Sequence, residues 1–397
     1  MSEQFESRNS RTLANVVREF VLPNCWLQIQ PQVIQEGGMA IPYLLSKPGA
    51  GKTTIMKDVC EQNNFGLFVL HPALKPIEEW GGLPNFQNIE VNGTKYPGTE
   101  WTISEVIIEL LKLTEKDHHM VVMLWDDMHL CGQQHLALMQ EAFSERSIRG
   151  YKLPDNVALV LAGNDSNKAG HKSLSSAISN RCARCYTHMD YESWKKNFAI
   201  AHNVHSAVIT FLGNASYSHF FHEDEIVDEP WSSPRSWTRF SNYLRAMESW
   251  NGNKPLDAAL VNYYCSSHVG EDAASEFSKY YAVYMKFDVK QILENSNSFQ
   301  MPDNELDHYP LAFAVLYYFS GLEPAEQKRL IPNLTQVIKV FYDNSKALAL
   351  LMFKELLHIE QTTKKQIVIK IINDAEQNHQ EMVSQLIEAV DNVNEER

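Results

Sequence analysis

At 397 residues the chain is long for one domain and suits two or three. An apolar share of 44% is enough to build packed cores and excludes a disordered chain. The net charge of −14 argues against a protein whose main work is gripping duplex DNA, although a basic channel inside an acidic ring is compatible with that total.

Residues 1–36 read as a helical lead-in, with Leu13, Val16, Val17 and Phe20 at helical spacing. The opening residues carry no signal-peptide pattern, and no apolar run approaches the ~18–20 residues of a membrane helix, so a soluble cytoplasmic protein without membrane contact is expected. A turn at Glu36, Gly37 and Gly38 precedes an apolar strand over 39–45. That strand runs through Ser-Lys-Pro-Gly-Ala-Gly-Lys-Thr-Thr, residues 46–54, into a helix over 52–62. Next come a second strand at 65–70 and a loop holding Gly81, Gly82, Leu83 and Pro84. A helix from Trp101 to Leu113 follows, its cap assigned to Thr102 with Glu105 three residues on. A third strand at 120–125 ends in Asp126 and Asp127. A helix over 133–143 leads to a fourth strand, 157–162, which ends in Gly163, Asn164 and Asp165. Continuous apolar strands alternating with helices indicate an α/β fold with a parallel sheet covered on both faces.

Beyond about residue 190 helical patterns dominate, at 194–202, 206–212, 236–249, 256–269 and 273–287. Residues 288–310 are loop-rich and read as a linker, and 311–397 are helical again. The aromatic run from Tyr309 to Phe319 reads as helix core. The expected division is therefore an N-terminal helical segment (1–36), a nucleotide-binding αβα domain (37–190), a helical domain (191–288) and a helical C-terminal extension (289–397).

A strand that runs into a glycine-rich turn ending in Lys-Thr is a Walker A phosphate loop, and it names a ligand class. Pro48, Gly49, Ala50, Gly51, Lys52, Thr53 and Thr54 offer backbone N–H donors and a helix N-terminus to a polyphosphate. Lys52 can meet the β- and γ-phosphates, and the Thr53 hydroxyl can take Mg²⁺. Ser46 stands where the first glycine of the pattern usually is. An apolar strand followed by an acid pair is a Walker B pattern, in which Asp126 would hold Mg²⁺ and Asp127 would orient the attacking water. The same pair would also suit a solvated strand-end turn. Asp127 replaces the usual glutamate and sets its carboxylate back by about 1.5 Å. Misplacement of about 1 Å can cost ~10²-fold in rate, so hydrolysis is slow unless the backbone compensates.

The amide of Asn164, at a strand tip, can hydrogen-bond a γ-phosphate or the lytic water, or simply serve a turn. Arg181, after a helix, can reach a neighbouring subunit's nucleotide or lie on the surface. Arg235 sits at the start of a Pro-initiated helix. Six cysteines are too sparse for a disulfide framework. Cys182 and Cys185, with His188 nearby, lack the second ligand pair of a zinc site and read as small strand residues.

This ordered set resembles the AAA+ ATPases and, within them, the MoxR-like branch and its phage and bacterial members. The resemblance runs from about Ile41 to Tyr281. Trp125 to Leu130 and Gln134 to Arg146 look like the family's Walker B strand and following helix. Leu153-Pro154 with Leu161 to Asn164 is similar to its sensor 1 segment. Ser179 to Arg181 resembles the arginine-finger segment, with Cys182 where an aromatic residue usually follows and Arg184 in reserve. Pro234 to Trp237 resembles sensor 2, which is how Arg235 enters the site. Val269 to Phe277 resembles a lid-helix signature, and Gly81 to Pro84 resembles the family's pore-facing loop.

The resemblance implies an AAA+ nucleotide-binding domain with an α-helical lid at 191–288. It also implies a homo-oligomeric ring, with a hexamer expected, and ATP and Mg²⁺ held between subunits. Turnover would remodel a protein client, with a von Willebrand factor A domain protein as the expected partner. Two other readings stay open: a DNA-associated motor or loader, and a nucleotide-gated scaffold that hydrolyses slowly because of Asp127. The acidic balance and the absence of any basic run longer than Lys364-Lys365 weigh against nucleic acid.

Overall fold

Short runs of large apolar residues, bounded by Gly, Asn and Pro, build the strands of a first compact unit that ends at Met189. The structure is a computed structural model. It describes residues 11–35, 40–116, 118–164, 174, 176–214, 217–222, 229–252, 254–363, 367–378 and 382. Ten strands occur among them: β1 (Arg11–Thr12), β2 (Ile41–Ser46), β3 (Gly66–Leu70), β4 (Pro84–Val91), β5 (Thr94–Trp101), β6 (Val121–Trp125), β7 (Ser147–Ile148), β8 (Tyr151–Lys152), β9 (Val157–Asn164) and β10 (Cys182–His188).

Six of these form one sheet in the order β1-β10-β2-β9-β6-β3. Every pairing in it is parallel. All of β6 and nearly all of β9 is buried, as expected for central strands covered on both faces. Parallel pairing brings the C-terminal ends of the strands to one edge, which is where open α/β sheets bind ligands. Ser46 pairs with Asn164 and Leu70 with Trp125 at that edge.

The expected strands and the helices after the phosphate loop and after the acid pair are present, the latter as Lys52–Gln62 and Gln133–Glu145. Cys182 and Cys185 lie on β10, three residues apart on a strand, which sends them to opposite faces.

The lead-in departs in phase. Helical turns run from Leu13 to Gln28, but those of Val17–Val21 are wide π turns. The slip buries Val21 and leaves Phe20 41% exposed. The Gln28 side-chain amide then clamps β9 at both backbone groups of Leu159, at 2.9 and 2.8 Å.

The larger correction is at 84–101. The expected loop and helix start are instead a long antiparallel hairpin, β4 with β5. Asn92 and Gly93 both have positive φ at its tip, as a type I′ turn requires. Trp101 belongs to β5, so the following helix is Glu105–Thr114, and its cap is Ser104 rather than Thr102. Thr102 is occupied at the hairpin base, where its hydroxyl accepts from the Leu83 N–H at 2.9 Å. Gly82 is confined to glycine there, because φ is +78° and a Cβ would meet the Thr102 carbonyl at 2.0 Å. The base is clamped by β7–β8: Arg149 lies over the Trp101 ring at 4.1 Å, and the Tyr151 hydroxyl donates to the Trp101 carbonyl at 2.8 Å.

The second unit runs from Asp190 to Arg397, and all its regular elements among the described residues are helical. Residues 191–288 and 289–397 both fall within it. Pro234 opens the helix Pro234–Trp250 behind a Ser233/Ser236 capping box. Trp237, Phe240, Phe277 and Tyr281 fill one core, and Phe319, Phe341 and Phe353 fill another. The aromatic run at 309–319 is largely buried in the helix His308–Gly321, as expected. The segment 288–310 is packed rather than an open linker. Its helix Val289–Glu294 buries Leu293 completely, and Asp307, also buried, takes the Lys286 ammonium at 2.6 Å.

A buried ion pair crosses this unit. Lys195 lies 3.0 Å from Glu355, and both side chains are only 6% exposed. The Tyr317 hydroxyl donates to Glu355 at 2.5 Å, and Glu192 supports Lys195 at 3.1 Å. Burial alone would raise the Glu355 carboxyl. His358, the Lys195 charge and Tyr317 outweigh it and hold the group down at about 2.

Candidate functional site

The loop after β2 folds as its glycines demand. Gly49 and Gly51 have φ of 81° and 88°, a region that β-carbon residues avoid. A Cβ on Gly51 would fall in open space, so it is the backbone conformation and not crowding that selects glycine. Gly51 caps the helix Lys52–Gln62, whose first N–H groups and dipole face the loop.

Lys52 is buried, and its ammonium reaches three acceptors: the Ser46 carbonyl at 3.4 Å, the Ser46 hydroxyl at 3.2 Å and the Asn164 Oδ1 at 3.1 Å. Ser46 therefore contributes a side-chain acceptor that a glycine would lack. The Thr53 hydroxyl donates to Asp126 Oδ2 in a very short contact. Asp126 is 5% exposed, and its other oxygen accepts the Asp127 N–H at 2.9 Å. No described cation pairs with this carboxylate. A buried anion answered only by a hydroxyl and an amide fits a divalent cation beside Thr53. The loop, the helix N-terminus and Lys52 fit a polyphosphate.

Asp127 has a left-handed backbone, φ 55° and ψ 38°, which is uncommon for a residue with a side chain. Its carboxylate is half-exposed and faces His71, with Nδ1 at 3.5 Å from Oδ2. His71 follows β3, and the Leu70–Trp125 register brings it beside the acid pair. Asn164, at the end of β9, meets Lys52 on one side and His129 on the other. Asp165 lies outside the described residues.

Lys52, Thr53, Asp126, Asp127 and Asn164 thus converge at one sheet edge. Arg181 does not. Its carbonyl takes the Ile41 N–H at 2.8 Å, and Cys182 pairs with Ile41, so it stands at the opposite end of β2 from the phosphate loop. The strand between spans roughly 16–20 Å at ~3.3 Å per residue. The guanidinium is half-buried and donates to the Ala177 carbonyl at 2.8 Å. Arg184 is exposed and donates to the Ser179 hydroxyl at 2.6 Å. Arg235 is exposed in the first turn of Pro234–Trp250, in the second unit. Pro48, Ala50 and Thr54 lie in the loop and first helical turn as expected. His71 and His129 were not legible as site residues. Each acts on a partner that only strand register brings near.

The chain is thus an α/β fold with a parallel sheet, a glycine-rich phosphate-loop turn at the carboxyl edge of that sheet, and an all-helical second unit. No family model matches the chain, and no curated protein is significantly similar to it in sequence. Among solved structures, the chain is similar to the Thermotoga maritima RuvB Holliday junction branch migration motor. The two are 14% identical over 74% of this chain and 80% of that one, with a TM-score of 0.34. It is also similar to the Saccharomyces cerevisiae Hsp104–ADP complex, at 12% identity over 97% of this chain and 51% of that one, again with a TM-score of 0.34. Among the described residues no helix is long and apolar enough to cross a membrane.

Proposed function

We propose that the chain is an AAA+ ATPase of the MoxR-like kind that binds Mg²⁺–ATP, assembles as a ring and uses hydrolysis to remodel a protein client. The observation that carries the reading is the meeting of Lys52, Thr53, Asp126, Asp127 and Asn164 at the carboxyl edge of one parallel sheet. Lys52 and the loop amides would bind the phosphates. Thr53 and Asp126 would hold the metal, which when bound neutralises phosphate charge. Asp127 would orient the attacking water and take its proton.

The position of Arg181 at the far edge of its own sheet supports action on a neighbouring subunit's nucleotide, which makes the ring functional rather than incidental. The client-facing element is better sought on the β4–β5 hairpin than on the expected Gly81–Pro84 loop, which is its base. Leu83 is exposed there, while the Trp80 side chain lies outside what is described. Phe86 is 81% exposed on the hairpin, and Val91 and Tyr96 are also exposed. A two-stranded ribbon alone is marginally stable, so side chains left outward suit a partner.

The test is Mg²⁺-dependent ATP binding and turnover by the wild type and Lys52→Ala. The variant should lose ATP affinity severely while keeping its fold. Binding like that of the wild type, measured calorimetrically, would end the assignment. Stimulation by duplex DNA would favour a motor on nucleic acid. Tight binding with negligible turnover would favour a gated scaffold.

A further inference from the structure

Asn164 is held from two sides. The Lys52 ammonium reaches its Oδ1 at 3.1 Å. His129, 8% exposed and in the short turn after Asp127, lies with Nε2 at 3.2 Å from the Asn164 Nδ2. Lysine has donors and no acceptor, so the amide atom facing it is the oxygen. The NH₂ group therefore faces His129, and the imidazole Nε2 must accept from it. A neutral imidazole has one acceptor nitrogen, so its proton is on Nδ1. The Asn164 backbone N–H, 3.4 Å from Nδ1, cannot be a second donor to the same ring in that tautomer, and the shorter side-chain contact prevails.

We propose that His129 is a positioning residue that decides what Asn164 can do. With one Nδ2 hydrogen held by the imidazole and Oδ1 held by Lys52, the amide plane is pinned at both ends. The second N–H and the other oxygen lone pair stay available at a fixed angle. The part inferred for Asn164 is to orient the attacking water with these groups, and that of His129 is to keep them aimed. The inference rests on the ATPase reading above, and it links the segment after Asp127 to the tip of β9 by one hydrogen bond.

The experiment compares the wild type with His129→Phe, which keeps a buried ring and removes the acceptor, and with His129→Gln, whose side-chain oxygen restores one. His129→Phe should lower kcat by roughly 10²-fold, the scale of a misplaced reacting group, with the ATP dissociation constant unchanged within about twofold. His129→Gln should recover most of the loss. In an Asn164→Ala background His129→Phe should cost nothing further. The readout independent of turnover is the side-chain amide resonance of ¹⁵N-asparagine-labelled protein that disappears in Asn164→Ala. It should move in His129→Phe.

Affinity that falls in step with turnover would overturn the proposal. So would a loss that persists without Asn164, or an amide resonance indifferent to the imidazole. A wild type that binds and hydrolyses ATP while His129→Phe matches it removes this inference alone. A wild type that binds no nucleotide removes the ATPase reading, and this role with it.

Discussion

Replacing Lys195 with methionine isolates the strongest electrostatic commitment in the second unit. Glu355 sits at about 2 instead of its ordinary 4.5, through His358, Lys195 and Tyr317 acting against burial. At about 1.4 kcal/mol per pH unit this depression is worth about 3 kcal/mol of folding stability at neutral pH. Lys195 supplies only part of that depression, but removing one partner of a buried pair costs ~3–5 kcal/mol because the other charge is left uncompensated. For a unit of this size about 3 kcal/mol lowers the melting temperature by roughly 6–12 °C.

The sign with pH follows from the direction of the shift. A depressed carboxyl stabilises above its unfolded value and loses that contribution as pH falls from about 4.5 to about 2. The gap between the wild type and Lys195→Met should therefore be full at pH 7 and narrow through that window. Calorimetric melts of the full chain at a series of pH values measure it. Lys195→Met with Glu355→Met, apolar on both sides, should recover most of the loss at pH 7. A Lys195→Met protein that melts within about 2 °C of the wild type at pH 7, against the shift expected for a chain of this size, would refute the reasoning.

Asp127→Asn should keep nucleotide binding and lose turnover by ~10²–10⁴-fold, while Asp127→Glu should match or exceed the wild type; hydrolysis by Asp127→Asn at the wild-type rate would assign the water to another residue. Arg181→Ala should bind ATP yet hydrolyse ~10³-fold or more slowly, and mixing it with Lys52→Ala should restore some activity across a shared interface. No recovery in mixed assemblies of verified composition would count against the trans role. Phe86→Asp, on a hairpin whose residues are nearly all exposed, should leave basal ATPase untouched and abolish stimulation by a protein partner. Undiminished stimulation would move the docking site elsewhere.

The phosphate loop and the acid pair were legible because each is contiguous and follows a strand buried along its whole length. Apolar continuity and punctuation suffice for such elements. The hairpin was not read, because Pro84, Pro97 and a polar face break the alternation that marks a strand. The Asn92-Gly93 turn was the available signal. Thr102 looked like a cap because Glu105 follows it at capping-box spacing, whereas the strand before it pushes the helix start to Ser104. Phe20 followed the helical period until the π turn slipped it outward. His71 and His129 illustrate the remaining limit. Their partners, Asp127 and Asn164, come near through the β3–β6 pairing and through the place of β9 beside β6, and neither histidine sits in a spacing that announces a role.

The strand that carries the phosphate loop has only β9 and β10 as neighbours. A ribosome delivers β2 early and its two partners more than a hundred residues later, so β2 emerges with both edges bare and waits for them. β3 and β6 can pair before it does. The candidate site is accordingly late to close, and ligand binding there by a nascent chain would report that synthesis has passed β9. A chain stopped short of His188 would offer an intact glycine-rich loop on a strand with an unpaired, aggregation-prone edge, which makes timely arrival of β9 and β10 a condition for solubility as well as for completing the candidate site.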